Sequence, residues 1–175
     1  MSDPLNLLSN EDHLVLKRLR MEGKAWIVGG WVRDSLLGKI NSDLDIATTL
    51  TPDKVKELFP RTIPIGEDYG TVIVRLEGES KNEWEVTTLR QDGTYGDGRR
   101  PDNVTFGKEI EADLARRDFT INAMAIDDDG KIIDLFGGIN DLENNTLRAV
   151  GEARERISED GLRIMRAFRF LDNSG

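Results

Sequence analysis

The chain has 175 residues, of which 38% are hydrophobic and 33% charged, with a formal net charge of −9, one histidine and no cysteine. This length predicts one domain, or one domain and the start of another. The absence of cysteine and the single His13 exclude thiolate or multi-histidine zinc sites and Cys/His nucleophilic pairs. No apolar run approaches the ~18 residues of a membrane span, and the acidic balance argues against a generally basic surface for nucleic acid. The missing cysteines and the lack of a secretory signal favour a cytoplasmic location.

The N-terminal segment, residues 1–23, is predicted to be a helix that packs on the rest of the chain. Apolar side chains recur at helical spacing from Leu5 to Met21. The predicted contacts with the core are Leu14, Leu16 and Leu19.

A strand, a glycine turn, a helix and a second strand are predicted between residues 25 and 46. The turn consists of Gly29 and Gly30, so two glycines stand at a helix N-terminus, where free N–H groups and the helix dipole favour an anion. Arg33 adds a forked cation in the first turn. These residues predict a site for the phosphates of a nucleotide.

Asp43 and Asp45 follow on the second predicted strand, where residues two apart point to the same face. Two adjacent carboxylates suit Mg²⁺, and two such ions roughly 3.5–4 Å apart would activate a hydroxyl and stabilise a leaving pyrophosphate. The Asp-x-Asp pattern alone is weak, because it recurs at Asp127 and Asp129, where a hairpin turn is predicted. The helix that begins at the glycine turn, just before Asp43, makes the first pair the stronger candidate for a metal site.

Two β-branched runs, Thr71 to Leu76 and Trp84 to Leu89, are predicted to be strands joined by a polar turn. Glu85 lies on the second run. It completes a carboxylate cluster if this strand neighbours that of Asp45, and is otherwise an exposed strand glutamate. The stretch from Gln91 to Asn103 is predicted to be a long irregular loop.

A helix from Glu109 to Arg116 and an apolar strand beginning at Ala123 are predicted to flank a polar turn. In this turn, Arg117 suits a triphosphate. Asp118 and Asn122 suit either a ribose or hydrogen bonds that lock the turn itself.

The last predicted helix begins at Ser158 as its N-cap and carries four charged side chains at intervals of three residues. These are Asp160, Arg163, Arg166 and Arg169. One interpretation is a surface ion pair followed by solvated arginines. The other is base selection, because an Asp acceptor beside an Arg donor matches the Watson–Crick edges of cytosine and adenine and opposes those of guanine and uracil.

With these motifs in place, residues 24–171 resemble the head of class II tRNA nucleotidyltransferases, the family of CCA-adding enzymes and bacterial poly(A) polymerases. The resemblance implies that a GG-x-VRD segment and a D-x-D pair hold the triphosphate and two Mg²⁺ ions, at Gly29, Gly30, Arg33, Asp34, Asp43 and Asp45. It implies ribose and phosphate contacts from residues 116–123, and a junction between head and neck at residues 134–138. It assigns base selection to Glu159, Asp160 and Arg163, with Arg166 and Arg169 behind them.

The implied fold is α+β, a polymerase-β-like mixed sheet flanked by helices and followed by an all-helical neck. The implied domains are residues 1–23 as an N-terminal helix, 24–138 as the catalytic head, and 139–175 as a linker and first neck helix. We expect the RNA-gripping body and tail to be missing, which places activity on tRNA in question, but not nucleotide binding.

The implied activity is template-independent addition of CMP and AMP to the 3′ end of tRNA from CTP and ATP. The Asp- and Arg-rich loop before residue 103 favours complete CCA addition. Alternatives are a poly(A) polymerase and, from a different class, a non-catalytic module that binds nucleotides or cations.

Overall fold

The computed structural model describes residues 4–39, 43–65, 70–78, 80–91, 105–159 and 162–172. Within these ranges, seven strands form one sheet and two short strands form a separate ribbon. In chain order the strands are β1 (Ala25–Val28), β2 (Asp45–Thr48), β3 (Arg61–Pro64), β4 (Thr71–Arg75), β5 (Trp84–Thr88), β6 (Arg90–Gln91), β7 (Thr105–Phe106), β8 (Met124–Ile126) and β9 (Ile132–Asp134). The spatial order of the sheet is β3-β4-β5-β2-β1-β8-β9, and β6 pairs with β7. Neighbours in the sheet are antiparallel except β2 and β5, which confirms the predicted mixed sheet.

Helices cover both faces of this sheet. They are α1 (Asn10–Glu22), α2 (Gly30–Leu36), α3 (Pro52–Leu58), α4 (Ile110–Ala115), α5 (Gly138–Glu143), α6 (Ala153–Glu159) and α7 (Leu162–Asp172), with 3₁₀ turns at Pro4–Leu7 and Thr120–Asn122. None of the helices in the described ranges is long and apolar enough to cross a membrane. The predicted α+β class is confirmed.

The central strand β1 is buried on both faces and divides the core in two. Ile27 belongs to the larger cluster, with Leu16 of α1 and Phe59 after α3. Trp26 faces the opposite way and packs with Leu114 of α4. Each fully buried side chain of this kind contributes about 1.5–3 kcal/mol. The smaller cluster covers only part of its face, and the polar cleft described below opens on the same face.

The prediction of the N-terminal helix is wrong in where the helix begins, because α1 starts at Asn10 and not near Leu5. Ser9 interrupts it as the N-cap of α1, because its hydroxyl accepts from the Asp12 N–H at 3.1 Å while its own N–H donates to the Asp12 carboxylate at 2.8 Å. Val15 is buried where the prediction placed Leu14, which is 42% exposed.

The N-cap predicted at Ser158 is also wrong. Ser158 lies within α6, where its hydroxyl donates to the Glu155 carbonyl at 2.7 Å, and α7 begins at Leu162. Inside a helix, a serine hydroxyl can bond back to a carbonyl of the preceding turn in this way, so serine alone does not mark a cap.

The Asp127–Asp129 hairpin is confirmed as a structural turn. The Asp127 carboxylate accepts from the N–H groups of Asp129 and Lys131, at 3.0 and 2.8 Å, and Gly130 has a φ of 78°. This second Asp-x-Asp pair therefore serves the β8–β9 connection.

Candidate functional site

The parallel pairing of β2 with β5 sets Asp45 directly opposite Glu85. Their chain neighbours Ile46 and Val86 are buried in the larger core cluster, so the two carboxylates lie on the other face. Glu85 is exposed and Asp45 is half-buried. The strand of Glu85 is thus the neighbour of the strand of Asp45, the condition on which the carboxylate cluster depended.

The environment of Asp45 disfavours its ionised form. Burial, followed by the charge of Glu85, raises the pKa of Asp45 to about 6, and Asp43 adds to this, while Arg117 acts in the opposite direction. A divalent cation between the two carboxylates would relieve this repulsion. The donor set therefore fits a cation that binds through carboxylate oxygens.

The glycine bend touches the same carboxylate. Gly29 is the N-cap of α2 with a φ of 74°, and Gly30 is the first residue of the helix. A Cβ atom on Gly29 would lie 3.1 Å from Asp45 Oδ2 and 3.4 Å from Arg117 Nη1. The backbone bend, the acid and the arginine therefore converge, and a Cβ here would crowd both side chains in a left-handed conformation that favours glycine.

A cleft of about 340 Å³ opens at this point. Residues from β2, β5, the α4 region and α7 line it. Those predicted from the sequence are Asp45, Glu85, Arg117, Asp118, Arg163 and Arg166. The structure thus brings together the carboxylates of two strands and the arginines of two separate segments.

One buried acid holds two adjacent arginines in the lining of the cleft. Asp113 of α4 is 1% exposed and pairs with both Arg116 and Arg117. Burial alone would raise the pKa of Asp113, but the charges and hydrogen bonds of the two arginines outweigh burial and lower it. Asp113 is therefore ionised at neutral pH and fixes both guanidinium groups.

Helix α7 presents two of its predicted arginines to the cleft. Arg163 is 7% exposed and its Nη2 donates to the Arg116 carbonyl at 3.3 Å. Arg166 lies with its Nε 3.4 Å from Asp118 Oδ2, and its side chain is 47% exposed. The interpretation as solvated arginines is wrong for Arg163, while Asp160 of the predicted ion pair lies outside the described residues.

Several predicted site residues stand apart from the cleft. Asp43 is exposed, precedes the first residue of β2 and borders a separate cavity beside Trp84. Arg33 donates to Asp34 and to Asn122, each at 2.8 Å. In this arrangement Arg33 and Asn122 lock α2 to the turn before β8, which matches the turn-locking alternative for Asn122.

Asp118 makes the turn-locking hydrogen bond, and its role in binding a ribose stays a prediction. Its Oδ1 accepts from the Phe119 N–H at 2.8 Å, which locks the turn, and its side chain also lines the cleft. The side chains of Glu159 and Arg169, and the loop of residues 92–103, lie outside the described residues.

The carboxylates do not form a preassembled three-ligand site. Among the residues that the structure describes, no three His, Cys, Asp or Glu side chains are arranged to hold a metal ion. Mg²⁺ takes only one or two protein carboxylates and completes its shell with water and phosphate oxygens. Asp45 and Glu85, with Asp43 close enough to act on Asp45 electrostatically, are compatible with such a partial site.

Thr71, Thr87 and Asp113 are among the residues that line the cleft but were not predicted from the sequence. Thr71 and Thr87 join β4 to β5 through their hydroxyls at 3.0 Å, and both line the cleft. Their alternation with buried valines was a signal for the open face. Asp113 was signalled by its spacing of three and four residues from Arg116 and Arg117, at which helical side chains meet.

Comparison with known proteins gives one family and many individual relatives. Residues 25–148 match the poly A polymerase head domain family. The chain is 52% identical over 157 residues to a CCA-adding enzyme of Enterococcus faecalis, which covers 89% of this chain and 38% of the relative. It is 52% identical over 162 residues to a CCA-adding enzyme of Streptococcus pneumoniae, covering 92% and 40%.

Solved structures give the same picture. The Bacillus stearothermophilus CCA-adding enzyme in complex with CTP matches with a TM-score of 0.81 and 43% identity, covering 98% of this chain and 40% of that one. The Thermotoga maritima CCA-adding enzyme complexed with tRNA matches with a TM-score of 0.69 and 28% identity, covering 95% and 39%. The chain therefore spans about 40% of the length of the relatives that it matches.

Proposed function

Because the chain belongs to the poly A polymerase head domain family, we propose that it is the nucleotidyl-transferring head of a CCA-adding enzyme. The proposed reaction adds CMP and AMP, from CTP and ATP, to the 3′ end of tRNA without a template. The observation that supports this proposal most directly is that Asp45, Glu85 and Arg117 meet at the Gly29 bend. The relatives named as CCA-adding enzymes, including one complexed with CTP, add support.

In the proposed complex, the triphosphate lies against the backbone of Gly29 and Gly30 at the start of α2. Arg117 already reaches this bend, so its guanidinium would meet the phosphate oxygens without a large movement. Such preorganised donors lower the barrier because they need no reorientation as charge develops on the leaving pyrophosphate. Asp118 and Asn122 are proposed to hold the ribose, Asn122 after release from Arg33.

Proteins of this family generally use divalent metal ions. We assign two Mg²⁺ ions to Asp43 and Asp45, with Glu85 as an additional carboxylate. When bound, the ions supply positive charge to the attacking hydroxyl and the leaving pyrophosphate. The raised pKa of Asp45 supports this assignment, because burial and the charge of Glu85 disfavour the ionised carboxylate and a bound cation would favour it.

Base selection is assigned to the region around the start of α7. Arg163 and Arg166 approach the cleft that Asp45 lines, so a nucleotide bound there would reach both arginines. Together with Asp160 they would pair with the amino group and ring acceptor of cytosine or adenine. Glu159 and Arg169 are proposed to support this pair.

Binding of tRNA is assigned to the parts of the relatives that extend beyond the match. The proposed organisation is residues 1–23 as an N-terminal helix, 24–138 as the catalytic head and 139–175 as a linker and first neck helix. A cytoplasmic location, as expected for tRNA maturation, belongs to the same proposal.

The test is a primer-extension assay with the complete protein, tRNA lacking its 3′ CCA, CTP, ATP and Mg²⁺. When CTP is followed by ATP, we expect extension to two products of defined length and then no further growth. Asp45→Ala and Asp43→Ala are expected to slow extension on the order of 10²-fold or more. Asp129→Ala, in the exposed hairpin, is the matched control and should extend at the wild-type rate. Wild-type extension by both site variants would refute the metal assignment.

Poly(A) addition is the second candidate, favoured by the description of the matched family. ATP alone separates the two activities. A long A tail on an RNA primer would support poly(A) polymerase, whereas dependence on CTP before one terminal A supports CCA addition.

A further inference from the structure

Asp113 lies at the cleft but is sealed from it. It is the fourth of the six residues of α4, with 1% of its surface exposed. Oδ1 accepts from Arg116 Nε at 3.1 Å and Nη2 at 2.6 Å, while Oδ2 accepts from Arg117 Nη2 at 3.2 Å. Both oxygens are therefore used within the protein, and the carboxylate itself has no surface left for a ligand.

The side chains of the two arginines, in contrast, are partly exposed. Their side chains are 16% exposed for Arg116 and 22% exposed for Arg117. The Nη2 of Arg117 is held by Asp113, whereas its Nη1 points to the bend and would lie 3.4 Å from a Cβ on Gly29. One edge of this guanidinium is thus anchored and the other is presented where phosphates are expected.

Arg117 has a competing acid within reach. A Cβ on Gly29 would lie 3.1 Å from Asp45 Oδ2 and 3.4 Å from Arg117 Nη1, so both groups border the same bend. An arginine released from Asp113 could turn to Asp45 and occupy the place proposed for a cation. The fixed ion pair with Asp113 prevents this exchange, because a buried carboxylate deprived of its partners is strongly disfavoured.

We infer that Asp113 is a positioning residue that aims the Arg117 guanidinium at the Gly29 bend and so sets the affinity for the triphosphate. This inference rests on the proposed function, since it presumes that phosphates bind there. Asp113 acts through Arg117 and does not touch the nucleotide. Misplacement of such a group by about 1 Å can cost on the order of 10²-fold.

A double-mutant cycle separates positioning from general stabilisation. Binding of CTP and of CMP, with Mg²⁺, is measured by calorimetry for wild type, Asp113→Asn, Arg117→Ala and the double variant. Asp113→Asn is expected to weaken CTP about tenfold or more and CMP by less than threefold. Added to Arg117→Ala, it should cost less than about threefold further, because the group through which it acts is gone.

The matched control is Asp141→Asn. Asp141 is also 1% exposed and also pairs with an arginine, Arg148, but it does not line the cleft. Its variant is expected to bind CTP within threefold of wild type. If Asp113→Asn does not fold, as judged by circular dichroism, Asp113→Glu enters the same cycle, because it keeps the charge but shifts the carboxyl group by one methylene.

Three results would each overturn the positioning role alone. They are CTP affinity at the wild-type level in the folded Asp113 variant, equal losses for CTP and CMP, and full additivity with Arg117→Ala. Failure of the wild-type chain to bind CTP at all would refute the proposed function of the cleft, and the inference with it.

Discussion

Replacing Asp45 by asparagine is expected to stabilise the fold in the absence of metal while removing the proposed cation ligand. Asparagine keeps the size of the side chain and removes the charge. Burial and the neighbouring charge of Glu85 raise the pKa of Asp45 to about 6 from its ordinary value of 3.8. Asp45 is therefore harder to ionise in the folded chain than in the unfolded chain, so its ionisation at neutral pH costs stability.

The magnitude follows from the linkage between protonation and folding. A shift of about two pKa units corresponds to about 3 kcal/mol above pH 6. Water at the open side of the cleft screens part of this, so we expect a gain of about 1–2 kcal/mol for Asp45→Asn at pH 8. Because the folded-state pKa is the higher one, the gain is complete above about pH 6. It falls to roughly half at pH 5 and vanishes below the unfolded value of 3.8.

The assay is urea unfolding followed by circular dichroism, with EDTA present, at pH 8 and pH 5. Asp129→Asn is the control, because it removes one exposed carboxylate and should leave the free energy of unfolding within about 0.5 kcal/mol of wild type. Glu85→Gln should recover part of the gain, and the double variant should gain less than the sum. An Asp45→Asn variant that is less stable than wild type at pH 8 would refute the electrostatic account.

Three glycine substitutions test the local geometry, one of them as a control. Gly29→Ala is expected to cost about 1–3 kcal/mol of stability and to weaken CTP binding, because the new Cβ would lie 3.1 Å from Asp45 Oδ2 at a φ of 74°. Gly38→Ala has a similar φ of 68° and open space, so its cost of about 1 kcal/mol with unchanged CTP affinity is the control. Gly138→Ala would place its Cβ 2.3 Å from the Thr120 carbonyl oxygen and should lower the free energy of unfolding by about 3 kcal/mol. Urea unfolding and calorimetry measure these effects, and a Gly29 variant that binds CTP like the Gly38 control would contradict the proposed phosphate position.

Local patterns in the sequence predicted the elements that carry the site. The apolar run ended by two glycines gave β1 and α2, and alternation placed Leu44 and Ile46 in the core. Each of these signals lies within a few residues of the structure that it predicts, so no knowledge of distant contacts was required.

Contacts between distant segments decided the rest. From the sequence, the cluster of Asp45 and Glu85 could be stated only on the condition that their strands are neighbours. The parallel partner of a strand is set by packing of the whole sheet. Arg33 was assigned to phosphate, but its guanidinium donates to Asn122, 89 residues away, and stacks 5.2 Å from the ring of Phe170. No local pattern could have revealed either partner.

Helix ends account for the remaining errors. Ser9 lay inside the first predicted helix and Ser158 was predicted as a cap, yet Ser9 caps a helix and Ser158 lies inside one. The reciprocal bond with Asp12, three residues on, distinguishes Ser9, and that spacing was visible in the sequence. A serine without such a partner predicts a cap poorly, because its hydroxyl can bond backward within the helix.

The central claim is that divalent cations bind at Asp43 and Asp45, with Glu85 as an additional carboxylate, beneath a nucleotide at the Gly29 bend. The most direct measurement is a titration of the ¹⁵N-labelled chain with Mn²⁺ in the presence of CTP, because the bound paramagnetic ion broadens nearby amide signals. The account predicts that the signals of Gly29, Asp45 and Glu85 broaden first, and that Asp45→Asn removes this effect. Broadening that begins at the acidic hairpin around Asp127, or that persists unchanged in Asp45→Asn, would contradict it.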